Sequence, residues 1–391
     1  MKLKNLNSIN LKNKTVLLRS ELNVPLKKGQ IMDDTRIIKS LETINYLIEK
    51  GAKIIICAHL GRPKGKIVEN LKLDLVAKRL EFFLNKKVKK LNEIISQQVS
   101  QEVAKLAAGE IILLENIRFS PAEEQCEEDF SKQLASLSDV FVSDAFGALH
   151  RKHSSTFGVA QYLPAYAGKL VEKEVSVLTK IIKTPQKPLV FIVGGAKMET
   201  KISVIEKFLE IADKIIIGVG IANTFLKAQN HQIGESLYEE KEIKTAQKIL
   251  EKDTQQKIYL PTDFIVAEEI STQADSRNTT IKDINPQEKI LDIGKKSIQQ
   301  IENILQVAKT IVWNGPIGLF EFPAFAQGTF AIANFLAKSQ AYTFIGGGDT
   351  AEAVLKVSSE SDFSHISTGG GASLKFLEGK ILPGLEVLLE K

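Results

Sequence analysis

The stretch that decides the fold is residues 188–201, with the sequence PLVFIVGGAKMETK. Its residues 189–193 form an unbroken apolar run, which is typical of a strand buried on both faces of a parallel sheet. Gly194 and Gly195 follow, and glycine lets a backbone approach a ligand closely because it has no side chain. The run and the glycines together predict a buried strand that ends at a turn.

Two lysines complete the stretch, at positions 197 and 201. If the chain is helical from Glu199 onward, Lys197 and Lys201 lie on neighbouring turns of one helix face. A buried strand that ends in glycines and cations is typical of phosphate binding in α/β proteins. The alternative is a glycine turn with two solvated lysines, and this stretch alone does not separate the two interpretations.

Working outward, apolar runs alternate with segments of helical periodicity. We predict helices over residues 35–50, 71–84, 123–136 and 169–183. Predicted strands cover 15–18, 53–58, 110–114, 140–142, 189–193, 214–217, 257–260, 289–293, 310–313 and 342–345. Strands separated by helices form βαβ units and parallel sheets. We therefore predict an α/β protein with two doubly wound, Rossmann-like parallel-sheet domains joined near residues 165–185. The tail, 382–391, is predicted to form one short amphipathic helix.

The composition narrows the class of protein. Of the 391 residues 43% are hydrophobic and 25% are charged, which is ordinary for a soluble globular chain. No apolar run approaches the roughly 18 residues that span a bilayer, and the N-terminus lacks the apolar core of a signal peptide. The only cysteines, Cys57 and Cys126, indicate neither a disulfide framework nor a metal site, which favours the reducing cytoplasm. A net charge of +5 does not by itself imply nucleic acid, because the chain has no basic tail and no aromatic–basic alternation, and we predict no nucleic-acid partner.

Arginine is rare in this chain, and its distribution is uneven. Only seven of the 52 basic residues are arginine. They are Arg19, Arg36, Arg62, Arg79, Arg118, Arg151 and Arg277. A guanidinium grips carboxylate or phosphate at two points, which a lysine ammonium cannot do. Because six of the seven lie within the first 151 residues, we predict that the N-terminal half binds an anion.

Three glycine-rich segments follow predicted strands in the second half. Residues 218–223, GVGIAN, lack the third glycine of the dinucleotide-binding fingerprint, and no Walker-type GxxxxGK[ST] occurs anywhere. In GGGDT, 346–350, Asp349 is either a helix N-cap or a ligand of Mg²⁺ on a nucleotide. In TGGGAS, 368–373, the glycines are either a linker or a set of backbone N–H donors at a helix start.

Ten short motifs occur in order over almost the whole chain. They are RSELNVP (19–25), DDTR (33–36), HLGRP (59–63), ENIR (115–118), DAFG (144–147), HRKH (150–153), GGAK (194–197), WNGP (313–316), GGGDT (346–350) and TGGGA (368–372). Together they resemble the phosphoglycerate kinase family. The resemblance implies reversible phosphoryl transfer from 1,3-bisphosphoglycerate to ADP, giving 3-phosphoglycerate and ATP, with Mg²⁺ required.

The resemblance also implies which residues bind the substrates. The triose site would consist of Glu21, Asn23, Arg36, His59, Arg62, Arg118 and Arg151. The nucleotide site would consist of Gly195, Lys201, Gly218, Gly294, Pro316, Glu321, Gly347, Gly348, Asp349 and Thr350, with Asp349 as the Mg²⁺ ligand. The catalytic groups would be Arg36, Lys197 and the backbone of Gly369, Gly370 and Gly371.

The implied organisation is an N-terminal triose-binding domain over 1–168 and a C-terminal nucleotide-binding domain over 169–374. The tail, 375–391, would pack back on the first domain. Members of this family are mostly monomers whose two domains close about a hinge. We therefore expect a monomer with a hinge helix, and we expect it to be cytoplasmic. During phosphoryl transfer, negative charge spreads over the oxygens of the moving group. The reaction therefore needs positioned cations and N–H donors, and no side-chain nucleophile.

The chain departs from the family pattern at three positions. Glu21 stands where the family usually has aspartate, and Lys295 stands where proline is frequent. Thr200 stands where aspartate is frequent, and the acid is found at the preceding residue, Glu199. No obligatory charge is lost, so the expected activity is unchanged. Two alternatives from other classes remain: a nucleotide-dependent oxidoreductase, favoured by residues 218–223, and a non-enzymatic nucleic-acid-binding protein, favoured by the positive net charge.

Overall fold

The computed structural model describes residues 1–390, which pack as two compact units. The N-terminal unit is Met1–Thr179 together with the tail from Ile381 onward, and the C-terminal unit is Lys180–Lys380. The division falls inside the helix Lys169–Lys183, whereas the sequence prediction put it at the start of that helix. Within residues 1–390, none of the helices combines the length and apolarity that crossing a membrane requires.

A six-stranded parallel sheet forms the centre of the N-terminal unit. The strands of this unit are β1 (Thr15–Ser20), β2 (Leu26–Lys27), β3 (Gln30–Ile31), β4 (Lys53–Cys57), β5 (Val88–Lys90), β6 (Ile111–Leu113), β7 (Val140–Asp144) and β8 (Ala165–Ala167). The sheet order is β5-β6-β4-β1-β7-β8, and β2 and β3 form a separate hairpin. The predicted strands are confirmed, whereas β2, β3, β5 and β8, of two or three residues each, were not predicted.

Helices cover the faces of this sheet. They are α1 (Thr35–Glu49), α2 (Asp74–Leu84), α3 (Gln97–Ala104), α4 (Pro121–Gln125), α5 (Glu128–Ala135) and α6 (Lys169–Lys183). In α1, Ile37, Ile44 and Leu47 recur at helical spacing and are fully buried against the sheet. The chain leaves α1 at Gly51, whose φ of +68° a side chain would strain.

A second six-stranded parallel sheet forms the centre of the C-terminal unit. Its strands are β9 (Leu189–Val193), β10 (Lys214–Ile217), β11 (Ile258–Tyr259), β15 (Thr310–Asn314), β16 (Tyr342–Gly346) and β17 (His365–Ile366), in the order β11-β10-β9-β15-β16-β17. All five residues of β9 are buried, as the apolar run predicted. Because β9 and β15 are neighbours near the middle of the sheet, the ends of these strands lie side by side.

The predicted strand over 289–293 lies outside this parallel sheet. It is β14 (Lys289–Ile293), which pairs antiparallel with β12 (Asp263–Ala267), and β12 pairs in turn with β13 (Arg277–Thr280). This sheet was not predicted, because an apolar run of five residues has the same pattern in a parallel or an antiparallel strand. The prediction that 289–293 belongs to the parallel series is therefore wrong.

The helices of the C-terminal unit complete a second α/β layer structure. They are α7 (Ile202–Ile211), α8 (Val219–Ala228), α9 (Ile243–Lys252), α10 (Lys295–Gln306), α11 (Gln327–Ala337), α12 (Gly348–Leu355) and α13 (Gly371–Leu377). Two parallel sheets with helices confirm the predicted fold class. The carboxyl ends of the strands in each sheet meet at one edge, where ligands of such sheets bind.

Two predicted helices differ from the structure. Residues 123–136 lie in two helices, α4 and α5, instead of one. Cys126 adopts a left-handed φ of +55° and ends α4 before α5 begins. Among the described residues of the tail, 382–390, only α14 (Pro383–Glu386) is helical, and Leu389 then forms an antiparallel bridge with Leu3; Lys391 lies outside the described residues. The tail packs on the N-terminal unit, since Gly384 N donates to Leu149 O at 3.0 Å.

The helix α6 begins beside a buried carboxyl group. The Asp144 Oδ1 atom accepts hydrogen bonds from Leu170 N at 2.9 Å and Val171 N at 3.3 Å, and so caps free donors of the first turn. Burial raises the pKa of Asp144 to about 8, although the hydrogen bonds from Thr43 and from the helix backbone act to lower it. The last residue of β7 thus fixes where α6 starts.

Candidate functional site

Polar side chains collect at the carboxyl edge of the N-terminal sheet. Glu21 and Asn23 follow β1, His59 and Arg62 follow β4, Arg118 follows β6, and Arg151 follows β7. The four strands are neighbours, which brings these segments together. Most are buried or half-buried, whereas Arg62 is exposed.

Direct contacts join several of these residues. Gly61 N donates to Asn23 Oδ1 at 2.8 Å, and Arg118 Nη1 donates to Gly61 O at 3.1 Å. Arg36 Nη1 donates to Asn23 O at 2.7 Å and lies 3.5 Å from Glu21 Oε1. The loop after β4 thus links Asn23 to Arg118, and the loop after β1 holds Arg36.

Cations dominate the electrostatics of this edge. Burial lowers the pKa of Arg118 to about 10, aided by Arg19 and opposed by Glu124. Burial also holds the pKa of His59 well below its usual range, and Arg19, Arg118 and Arg36 act in the same direction. A nearby anion would relieve this crowding of positive charge, so the edge is suited to bind one.

Arg151 lies at the same edge, in the turn after β7. Its Nε lies 3.1 Å from His150 Nε2. The pKa of the neighbouring His153 is lowered to about 4, chiefly by burial and by the charge of Arg118, and the charge of Arg151 adds to this effect. Of the predicted triose-site residues, only Arg62 has an exposed side chain.

In the C-terminal unit, the backbones of two strand ends touch. Gly194 N donates to Asn314 O at 3.0 Å, and Gly195 N donates to Pro316 O at 3.0 Å. A Cβ atom on Gly194 would lie 1.9 Å from Pro316 O, so no other residue fits there without moving the backbone. Gly218 directly follows β10, and a Cβ atom on it would lie 3.0 Å from the backbone of Ile317. The end of a third strand, β10, therefore lies at the same place.

The two lysines of the opening stretch have different surroundings. The helix α7 begins at Ile202, and not at Glu199, so Lys197 and Lys201 do not share a helix face as predicted. Lys197 is exposed, while Lys201 is half-buried and its Nζ donates to Asn314 Oδ1. Burial lowers the pKa of Lys201 to about 8, opposed by the carboxylates of Asp349 and Glu378.

The segment after β16 begins α12 close to this lysine. Gly347 has a φ of +97°, which a side chain would strain, and Thr350 Oγ1 accepts a hydrogen bond from Gly315 N at 2.7 Å. Asp349 lies in the first turn of α12, is exposed, and interacts electrostatically with Lys201. Lys201, Asp349 and Thr350 thus lie near one another and near the glycines of the neighbouring strand ends.

The exposed carboxylate near Lys201 that could bind a divalent cation is that of Asp349. Within residues 1–390, no group of three or more His, Cys, Asp or Glu side chains is arranged to hold a metal by itself. Asp349 is an exposed carboxylate beside glycine backbone, and Mg²⁺ on a nucleotide typically uses one or two carboxylates with phosphate oxygens and water. The residues fit a magnesium–nucleotide complex and not an all-protein metal cage.

The remaining predicted residues lie on three other segments of the C-terminal unit. Gly369 N donates to Ser367 Oγ at 3.1 Å, which leaves Gly370 and Gly371 at the start of α13 as the candidate donors of the glycine triplet. Glu321 is exposed in the loop after β15. Gly294 lies at the start of α10, where a Cβ would meet Asp263 Oδ2 at 2.2 Å.

Comparison with known proteins identifies the family of this chain. The family model described as phosphoglycerate kinase matches residues 6–380. The chain belongs to the phosphoglycerate kinase family. It is 48% identical to the phosphoglycerate kinase of Moorella thermoacetica and 46% identical to that of Pelotomaculum thermopropionicum, and each match covers 99% of both chains.

Solved phosphoglycerate kinases share the fold. The enzyme from Coxiella burnetii superposes with a TM-score of 0.88 at 43% identity, covering 99% of this chain and 98% of the other. The enzyme from Pyrococcus horikoshii gives 0.87 at 35% identity, with the same coverage. The chain is therefore a kinase of glycolysis, in a family that uses ADP and ATP.

The three departures from the phosphoglycerate kinase pattern are local. Glu21 Oε1 lies near Arg36, while its buried Oε2 has no hydrogen-bond partner among the described residues. Thr200 Oγ1 donates to Lys197 O at 3.0 Å, and Glu199 pairs with Lys241 at 2.6 Å. Lys295 is exposed.

Two residues that shape these sites were not in the predicted site. Asn314, the partner of Lys201, follows a predicted strand, so the position after the strand could have indicated it. Arg19 contacts His59, but it lies inside β1, where side chains normally belong to the core. The scarcity of arginine and the motif RSELNVP, which begins at Arg19, were the two signals for this residue.

Proposed function

We propose that this enzyme transfers a phosphoryl group between 1,3-bisphosphoglycerate and ADP, giving 3-phosphoglycerate and ATP, directly and in line, in a reaction that requires Mg²⁺. The observation that carries the proposal is the contrast between two sheet edges. The N-terminal edge is crowded with arginines, and the C-terminal edge combines glycine backbone with Lys201 and Asp349. An anionic triose suits the first edge, and a magnesium nucleotide suits the second.

In the triose site, the cations would bind carboxylate and phosphate oxygens. We assign the whole site to Asn23, Arg36, His59, Arg62, Arg118 and Arg151, which would hold the carboxylate, hydroxyl and phosphate groups of the triose, with Glu21 included as a partner for the hydroxyl group. Arg118 is held by Gly61 O and Arg36 by Asn23 O, so both guanidiniums keep donors available in a fixed orientation. Charge crowding at this edge favours binding of a dianion.

In the nucleotide site, backbone and side chains would act on different parts of the ligand. Gly195, Gly218, Gly294 and Pro316 would line the base pocket, Glu321 would accept from the ribose, and Lys201 with Gly347, Gly348 and Thr350 would bind phosphates. Mg²⁺ held by Asp349 and phosphate oxygens would neutralise phosphate charge. Lys201 is positioned for its role by Asn314.

The transfer itself would need charge stabilisation and exclusion of water. Negative charge spreads over the equatorial oxygens of the moving group. Arg36 and Lys197 would supply cations to these oxygens, and the N–H groups at Gly369, Gly370 and Gly371 would supply donors. Because Gly369 N already donates to Ser367, we expect Gly370 and Gly371 to contribute most. Hinge closure would exclude water, the competing acceptor.

The decisive experiment is a coupled assay in both directions. With 3-phosphoglycerate, ATP and Mg²⁺ we expect ADP to form, and with 1,3-bisphosphoglycerate and ADP we expect ATP. Omission of Mg²⁺ should abolish both. Turnover of a nicotinamide cofactor without kinase activity would instead support an oxidoreductase, and salt-sensitive nucleic-acid binding without turnover would support a binding protein.

Nucleotide affinity should fall as the pH rises through about 8. Above that pH the Lys201 amine loses its proton, and the phosphates lose a cation. We expect the Kd of MgADP to be about tenfold higher near pH 9 than near pH 7, as measured by calorimetry. Lys201→Arg should flatten this dependence because a guanidinium stays charged. An equal dependence in both proteins would contradict the assignment of Lys201.

Hinge closure should be visible in solution scattering. With 3-phosphoglycerate and a non-hydrolysable magnesium nucleotide both bound, we expect a smaller radius of gyration than in the ligand-free protein. Either ligand alone should give a smaller change, because closure needs contacts from both sides. An unchanged radius in the ternary complex would argue against closure.

We also infer that the enzyme acts as a cytoplasmic monomer. Both cysteines are free thiols, and burial raises the pKa of Cys57 to about 12, so this thiol is inert in a reducing compartment. Light scattering coupled to size exclusion tests the monomer.

A further inference from the structure

The Arg19 side chain is fully buried, and each of its donor nitrogens has a defined partner. Nη2 lies 2.9 Å from His59 Nδ1, Nε donates to Ser155 Oγ at 2.8 Å, and Nη1 donates to Ser20 O at 2.9 Å. The guanidinium is thus fixed by contacts from separate parts of the chain. Its orientation toward the imidazole is therefore not free to change.

This contact determines where the His59 proton resides. A guanidinium can only donate, so the Nδ1 atom that faces it must accept and carries no proton. A neutral imidazole then has its proton on Nε2. Protonation of the ring is strongly opposed, because His59 is 5% exposed and three arginines lie nearby.

A buried carboxylate supports Arg19 without contacting the imidazole. Glu123 is fully buried and accepts hydrogen bonds from Ser155 Oγ at 2.6 Å and from Ser155 N at 2.9 Å. The single hydroxyl proton of Ser155 goes to Glu123, which leaves a lone pair for Arg19 Nε. Burial raises the pKa of Glu123, but Arg19 and the Ser155 bonds favour its charged form.

We propose that Arg19, held by Ser155 and Glu123, fixes His59 in the Nε2–H tautomer, so that His59 offers the triose ligand a neutral N–H donor. Arg19 and Glu123 are positioning residues in this scheme. The effect on catalysis rests on the proposed function, in which His59 binds the triose. The tautomer, in contrast, is a property of the ligand-free protein.

The first test is nitrogen NMR of the full chain labelled at the imidazole nitrogens. His59 is assigned by the signal that disappears in His59→Gln, among five histidines. We expect Nε2 to be protonated and Nδ1 to be an unprotonated acceptor, without change across the pH range in which a free histidine titrates. An Nδ1–H tautomer, or an imidazolium near neutral pH, overturns the proposal.

The second test removes the donor. In Arg19→Met we expect His59 to populate both tautomers, and the KM for 3-phosphoglycerate to rise roughly tenfold while the KM for ATP stays constant. Arg79→Met is the matched control, because Arg79 pairs with Asp34 instead. If Arg19→Met does not fold, Arg19→Gln replaces it, and we expect the same mixture of tautomers because an amide can accept as well as donate a hydrogen bond. A folded variant that keeps a pure Nε2–H tautomer overturns the proposal.

The third test asks whether the donor itself matters. A glutamine amide can reach the position of Nε2, whereas an asparagine amide reaches only that of Nδ1. We expect both substitutions to raise the KM for 3-phosphoglycerate, and His59→Asn to raise it roughly tenfold more than His59→Gln. Equal losses in both variants contradict the donor role. If the parent protein lacks kinase activity the proposed function fails, yet the NMR result still decides the tautomer.

Discussion

Replacing Arg36 with alanine is expected to lower kcat on the order of 10²- to 10³-fold, with little change in the Kd of ADP. Arg36 is partly exposed at the carboxyl edge of the N-terminal sheet, and its Nη1 is fixed by Asn23 O at 2.7 Å. The guanidinium would bind the charge that develops on the moving group, so its loss affects the transition state more than the bound nucleotide. Steady-state kinetics and calorimetry with ADP measure the two quantities separately.

Two controls make the Arg36 result interpretable. Arg79→Ala removes an arginine from the same unit, where Arg79 pairs with Asp34, and it should leave kcat nearly unchanged. Thermal unfolding of Arg36→Ala shows whether the buried Glu21, 3.5 Å from Arg36, destabilises the fold once its partner is gone. A normal kcat in a folded Arg36→Ala protein would refute the assignment of Arg36 to catalysis.

Replacing Gly194 with alanine is expected to lower the free energy of unfolding of the C-terminal unit by about 3 kcal/mol or more. The new Cβ would lie 1.9 Å from Pro316 O and 2.8 Å from Gly315 O. Both neighbours are backbone atoms, so no rotamer change relieves the clash. The strand ends must separate, which weakens the bonds from Gly194 N to Asn314 O and from Gly195 N to Pro316 O.

Gly348→Ala is the matched control for this change. A Cβ on Gly348 meets no atom within 4 Å, so we expect a stability change within about 0.5 kcal/mol. Denaturant unfolding of the ligand-free proteins, followed by circular dichroism, measures both variants. Equal stabilities for Gly194→Ala and Gly348→Ala would show that the strand ends can separate without cost.

Much of the fold was predictable because the strongest patterns are local. The apolar run of β9 and the helical spacing of Ile37, Ile44 and Leu47 in α1 reflect burial that a short segment already encodes. The antiparallel pairing of β14 was not predictable, since pairing direction depends on a partner elsewhere in the chain. The break at Cys126 was missed because a helical pattern continues across it.

The residues of the site were predictable in part. Positions after strands, such as His59 and Asp349, are recognisable because parallel strands end at one edge. The supporting contacts were not recognisable, because they join distant positions. Lys201 and Asn314 are 113 residues apart, and Arg19 and Ser155 are 136 residues apart.

The sequence by itself determined the α/β class, the order of most strands and helices, and the types of charge that each half presents. These properties follow from hydrophobic periodicity and composition, which are local. Only the tertiary structure decided that Lys201 is half-buried against Asn314 while Lys197 is exposed, and that Arg19 faces His59 Nδ1. Burial and hydrogen-bond partners set the charge and the tautomer of a side chain, and both depend on segments brought together by folding.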